Sequence, residues 1–183
     1  MITLKKSLTL SLAIIVLMYG VFFTALTVYG VDMNDNQLSL IKNSCSSVKA
    51  TLIQLHNSDA LLRVNRGQIY ESMSTKLIGK FNNRIESNNL TYIPITDATN
   101  SYHSLLDKFR ADYIIYEEQL SASIDIDCSK QPVAFYDAVA LSRVDRNQVH
   151  ADITNLNQSI SQYKTALDGF ELMFQTNLQG LKK

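Results

Sequence analysis

Residues 38–73 read LSLIKNSCSSVKATLIQLHNSDALLRVNRGQIYESM. Leu38, Ile41, Cys45, Val48, Leu52 and Leu55 recur at alternating intervals of three and four, and Leu62, Ile69 and Met73 extend the series. This is heptad spacing, which lines one face of a helix for burial against other helices. The series shifts by one residue to Leu77, Phe81 and Ile85, as a stutter does. Gly67 lowers helix propensity, so a kink is predicted within residues 57–67. The stretch predicts a helix over about 34–87. Asn34 or Asp35 caps it if it begins afresh; otherwise it continues straight from the run before it.

The rest of the chain repeats the pattern. Gly and Pro number only 6 and 2, which implies long helices. Pro94 and the β-branched residues of SNNLTYIPITD, residues 87–97, favour extended chain. Thr96 or Asp97 can cap a second helix over about 97–123, with Tyr102, Leu105, Leu106, Phe109, Tyr113, Tyr116 and Leu120 inward. Ser129 and Pro132 suit the start of a third, over about 132–180. Its inward residues run from Phe135 and Val139 through Val149, Ile153, Leu156, Ile160, Tyr163, Leu167 and Phe170 to Phe174. The expected fold is all-α: an elongated, coiled-coil-like, up-down-up three-helix bundle over residues 32–183. Most of the nine tyrosines follow the seams, so core packing accounts for them better than a binding stripe.

Residues 7–31 carry no charged side chain and follow Lys5 and Lys6. Twenty-five residues at about 1.5 Å each exceed the roughly 30 Å of a bilayer core. Residues 1–31 are therefore predicted to be a single transmembrane signal-anchor, contacting membrane lipid through residues 7–31. The two lysines keep the N-terminus in the cytoplasm, and residues 32–183 lie outside the cytoplasmic membrane. A cleaved signal peptide is the alternative, with Ala25-Leu26-Thr27 as a poor cleavage site.

Cys45 and Cys128 both fall on the outer side, where disulfides persist, and a single pair has one connectivity. Two free buried thiols are the alternative. The bridge would pin the second loop at the height of Cys45, near the membrane, and leave the C-terminus distal. The same register sets Asp59 and Arg66, Glu117, and Ser142 and Arg146 at similar heights, a possible buried polar layer. Either these charges pair, because an unpaired buried charge is costly, or the side chains snorkel to the surface.

The 17 basic residues balance the 17 acidic ones, and no basic patch points to nucleic acid. His103 and Asp107 share a helix face, as do His56 and Asp59, yet no HExxH or repeated ExxH gathers enough ligands for a metal. No GxSxG, P-loop, GxGxxG or CxxC is present, so neither an enzyme nor a cofactor is expected. Asn89-Leu90-Thr91 and Asn157-Gln158-Ser159 are glycosylation triplets, meaningful only in a eukaryotic secretory protein.

The segment DCSKQPVAFYDA, residues 127–138, resembles one in N-terminally anchored helical proteins of the Saccharibacteria, over about residues 125–175 and in the shared anchor plan. The resemblance implies a bacterial envelope location and no assigned activity. The plan is also similar to the four-helix ligand-sensing domains of bacterial chemoreceptors. It departs from them in having one apolar run and no signalling domain, which puts output through its own chain in doubt. The expected function is an interaction module that presents the bundle to an envelope protein or to a second copy. Gly20 and Thr24 are a small-xxx-small pair that fits a dimer. A ligand-binding sensor subunit acting through a partner is the alternative.

Overall fold

A computed structural model describes residues 32–180. The chain there is all-α. Helix α1 spans Asp35–Ser72, a π-helical stretch follows at Met73–Ile78, and α2 spans Gly79–Ser87. These three pieces make one rod. Helix α3 spans Ile93–Asp125 and α4 spans Pro132–Gly180. Among the described residues no helix is long and apolar enough to cross a membrane. The anchor expected at residues 1–31 lies outside them.

Local chemistry explains each boundary. Asp32–Asn34 are non-helical, so α1 begins afresh. Asn34 caps it: its side chain accepts from the Gln37 N–H at 3.0 Å, and the Gln37 side chain accepts in turn from the Asn34 N–H at 3.0 Å. Helix α2 ends with Asn89 at φ 50°, a left-handed residue. The Leu90 and Asn89 N–H groups then donate back to the Ile85 and Glu86 carbonyls, closing a Schellman motif. Helix α3 starts at Ile93, earlier than the 97 expected. Pro94 falls in the first turn, where a missing N–H costs no intrahelical bond. Thr96 and Asp97 are therefore helical residues rather than caps. At the other loop the Asp127 side chain accepts from the Ser129 N–H and hydroxyl, so Ser129 serves the turn rather than capping α4.

The predicted stutter is real in position and different in kind. Leu77 is exposed, and Ile78 is fully buried in its place. The inward series runs Tyr70, Met73, Ile78, Phe81, Ile85, with a step of five from Met73 to Ile78. A π turn absorbs that step, since its bonds skip one residue more than in an α-helix. The Tyr102 hydroxyl donates to the Tyr70 carbonyl just ahead of it, at 2.8 Å. Residues 57–67 stay within unbroken α1.

Cys45 and Cys128 are joined by a disulfide with Cα atoms 5.6 Å apart. Lys49 Nζ donates to the Ile126 carbonyl at 3.0 Å beside it. Further along, Asp59 meets Arg146, Tyr70 meets Phe109 and Asn157, and Asn82 meets Thr99 and Tyr163. The order makes α3 antiparallel to both α1 and α4: the up-down-up arrangement.

Helices α3 and α4 form the close pair. Buried residues of α3 alternate without a break: Ile95, Thr99, Tyr102, Leu106, Phe109, Tyr113, Tyr116, Leu120, Ser123. On α4, small residues at Ser142, Ser159 and Ala166 are buried in the seam and let the backbones approach. The Ser123 and Ser142 hydroxyl oxygens lie 2.9 Å apart and each has a backbone carbonyl within reach, so each proton has an acceptor and the polar atoms stay satisfied.

Candidate functional site

Helix α1 packs on this pair differently. Between Leu52 and Tyr70 it buries only one side chain, Asp59. The expected seam residues Leu62 and Ile69 are exposed, and Phe174 on α4 is as well. On the inward side of α1, Arg63 and Arg66 stand where a bundle ordinarily has apolar side chains. Long cationic chains keep their heads in water, so α1 stands off and a cleft of about 160 Å³ opens at mid-bundle.

Asp59 anchors the floor. Arg146 on α4 forks onto its carboxylate, with Nε to Oδ2 at 2.7 Å and Nη2 to Oδ1 at 3.2 Å. The Tyr116 hydroxyl on α3 donates to the same Oδ2 at 2.7 Å. Burial alone would raise the Asp59 carboxyl, but the two hydrogen bonds and the Arg146 charge outweigh it and hold the group below its ordinary range. Burial, then the adjacent carboxylate, pushes the Tyr116 phenol well up, so it stays a donor. The hydrogen bonds it donates to Asp59 hold the Arg146 guanidinium more firmly protonated. Three helices thus meet at one charge-balanced cluster, in which the Asp59 carboxylate accepts three hydrogen bonds.

Of the residues expected in a polar layer, Asp59 and Arg146 come together, and Ser142 sits buried nearer the disulfide end on Ser123. Arg66 and Glu117 do not join them. Arg66 lies about 10 Å up the helix from Asp59, at roughly 1.5 Å per residue, and is exposed on the cleft wall. Glu117 follows Tyr116 and so points about 100° away from the seam. It stays half-exposed opposite His56, at 3.9 Å.

The cleft walls combine cations with rings. The Arg63 guanidinium lies over the Tyr113 ring, 4.9 Å from its centroid. Phe109, Tyr113 and Val149 are buried behind it, and Leu62 and Ile153 flank it. His150 stands at the rim. Among the described residues Arg63 and Arg66 have no anionic partner. The sequence reading missed Arg63, His150 and the cleft. The signal was there: Arg63 and Arg66 fall on the same side of the helix as Asp59.

No protein-family model, curated protein or solved structure matches this chain. Function therefore rests on geometry. Two other polar clusters compete with the cleft. Ser74 Oγ and His103 Nε2 lie 3.0 Å apart beside the π turn. Asp107, on the His103 face, binds Arg110 instead, and Glu71 also holds Arg110, with one contact at 2.5 Å. The histidine thus has no carboxylate to orient it as a general base. Fully buried Asp152 takes bonds from Lys108 at 2.9 Å and Gln148 at 3.0 Å, which explains its place in the seam as a paired charge. No group of three or more His, Cys, Asp or Glu among the described residues could hold a metal.

Proposed function

We propose that this is a single-pass protein of a bacterial cytoplasmic membrane, with its N-terminus inside and residues 32–183 outside. There the bundle presents the outer face of α1 to another helix. The charge-free run at residues 7–31 after Lys5-Lys6 supports the anchor. The Cys45–Cys128 disulfide supports an oxidising compartment. No nucleic acid, catalysis or cofactor enters this reading.

One observation carries the interaction. Successive helical residues rotate by about 100°, so taking Leu52 as the centre of the inward face locates the rest. Lys42, Lys49, Asp59, Arg63 and Arg66 all fall within about 80° of it. They are the only charged side chains between Asn36 and Tyr70. The outward sector holds none. It runs through Asn43, Ala50, Gln54, Ser58, Leu61, Asn65 and Ile69, all exposed. A solvated surface helix ordinarily carries its charges on that side. An uncharged face of apolar and small polar residues, roughly 50 Å long at 1.5 Å per residue, is what the core of a helix–helix interface needs.

The occupant is a second copy of α1 or a helix of another envelope protein. A photo-crosslinker at Ser58 of the full chain in cells should give one recurrent adduct, lost when Gln54 is replaced by Arg. A crosslinker at exposed Glu118 on α3 should give none. Adducts from both positions alike, or from neither, sink the reading. A second function, ligand-binding sensor subunit acting through a partner, is favoured by the arginine-lined cleft.

A further inference from the structure

We propose that the mid-bundle cleft is a binding site for a small aromatic carboxylate. This deepens the sensor reading and rests on it, while the inference itself concerns binding alone. Charge sets the sign of the ligand. Asp59 is neutralised by Arg146 and by the Tyr116 hydrogen bond. Neighbouring Glu71 is held by Arg110, and Glu117 faces His56. Arg63 and Arg66 therefore leave two positive charges uncompensated at the cleft, with His150 beside them. Guanidinium presents two parallel N–H groups that match a carboxylate bidentately. Arg66 is free for that role, because Arg63 is already seated over Tyr113.

Size and lining set the ligand's body. A cavity of about 160 Å³ is close to the roughly 150 Å³ that accepts benzene, and below the several hundred of drug-sized pockets. It holds one ring with a short arm. Phe109, Tyr113, Val149 and Ile153 line the interior, and they favour a ring over a sugar or a bare phosphate. The Arg146 charge below is already balanced by the Asp59 carboxylate, so the uncompensated charge concentrates at the mouth. The ligand enters ring first, with its carboxylate outermost against Arg66.

The site also fits the fold, since three helices contribute to one binding surface. Occupancy would draw α1 toward α3 and α4 at mid-bundle.

The full chain in nanodiscs, titrated with phenylacetate by calorimetry and by saturation-transfer NMR, tests this. Phenylacetate should bind saturably, and its neutral isostere phenylacetamide at least about tenfold more weakly. That ratio corresponds to about 1.4 kcal/mol for the charged contact. Acetate and inorganic phosphate should also be weaker, since each lacks the ring. Arg66→Gln, at an exposed position that cannot unfold the bundle, should cost about tenfold, and Arg84→Gln nothing. Leu62→Trp should close the cleft to all of them. Equal affinity for phenylacetate and phenylacetamide, an unchanged Arg66→Gln, or no saturation with any probe overturns the proposal. None of these outcomes bears on crosslinking from Ser58, so each reading can fail alone.

Discussion

Between α3 and α4 the facing positions hold Leu106, Leu120, Leu156 and Tyr163 interleaved with Ser142, Ser159 and Ala166, and every polar atom of the buried serines is bonded. Between α1 and that pair they hold Leu52, then Asp59, Arg63 and Arg66, then Tyr70. The first seam is close-packed; the second is stitched at a few points with a cleft between. Long helices need not pack along their whole length to stay in register. The disulfide at one end, the Asp59 cluster in the middle and the Tyr70–Phe109 contact fix α1, while its remaining surface is free for other partners.

If α1 is held by discrete stitches, removing the covalent one should have the largest effect. The disulfide closes a loop of 83 residues. Replacing both cysteines with serine should lower the unfolding free energy by about 4 kcal/mol on the chain-entropy model. Chemical denaturation under oxidising conditions reads the difference. A loss below 1 kcal/mol would mean that packing alone holds α1.

The close seam should then show the cavity cost that the cleft lacks. Leu156 is fully buried, so Leu156→Ala should cost about 3 kcal/mol. Leu62→Ala, on the exposed wall, should cost under about 0.5 kcal/mol. Equal costs would erase the distinction between the two seams.

The middle stitch comes next. Arg146→Met leaves the Asp59 carboxylate with Tyr116 alone and should cost about 2 kcal/mol, reduced from the figure for a wholly buried pair because the arginine is partly solvated. The pH dependence has a definite sign. The folded Asp59 carboxyl lies below its ordinary value of 3.8, so its contribution is complete above that value and lost as pH falls through the folded one. The stability gap between the native protein and Asp59→Asn should be flat from about pH 5 upward and narrow below about pH 4. A gap that widens in acid would show that the carboxyl is not held ionised.

The sequence disclosed the all-α fold, three helices and the cysteine pair, because 3–4 spacing and missing breakers are local signals. It assigned the α3 seam from Tyr102 to Leu120, where apolar residues mark the heptad, and missed Ile95, placed in extended chain, and the polar Thr99 and Ser123. It failed where two physical patterns compete. Leu77 and Ile78 are adjacent apolar residues, and only a π turn, set by packing on α3, chooses the second. Leu62 and Ile69 fit a heptad by spacing, yet α1 rotates to put Asp59 and Tyr70 inward because Arg146, Tyr116 and Phe109 await them. Arg66 was legible as misplaced in an apolar series; that it walls a cleft was not, since the cleft depends on how far α1 stands off.

The smallest effect tests that stand-off most cleanly. Gly67 is helical, and a Cβ placed on it would meet nothing within 4 Å. In a tightly packed seam an added methyl group would collide; in an open one it only removes the backbone entropy that glycine brings to the unfolded chain. Gly67→Ala should therefore stabilise the protein by roughly 0.8 kcal/mol, the helix-propensity difference. Neutrality would mean that α1 frays there, and destabilisation would mean that the cleft closes over Gly67 in solution. A gain of the expected size, with phenylacetate affinity unchanged, would establish a rigid α1 beside an open site. The arginines would then be held apart from α3 by the helix itself rather than by its motion.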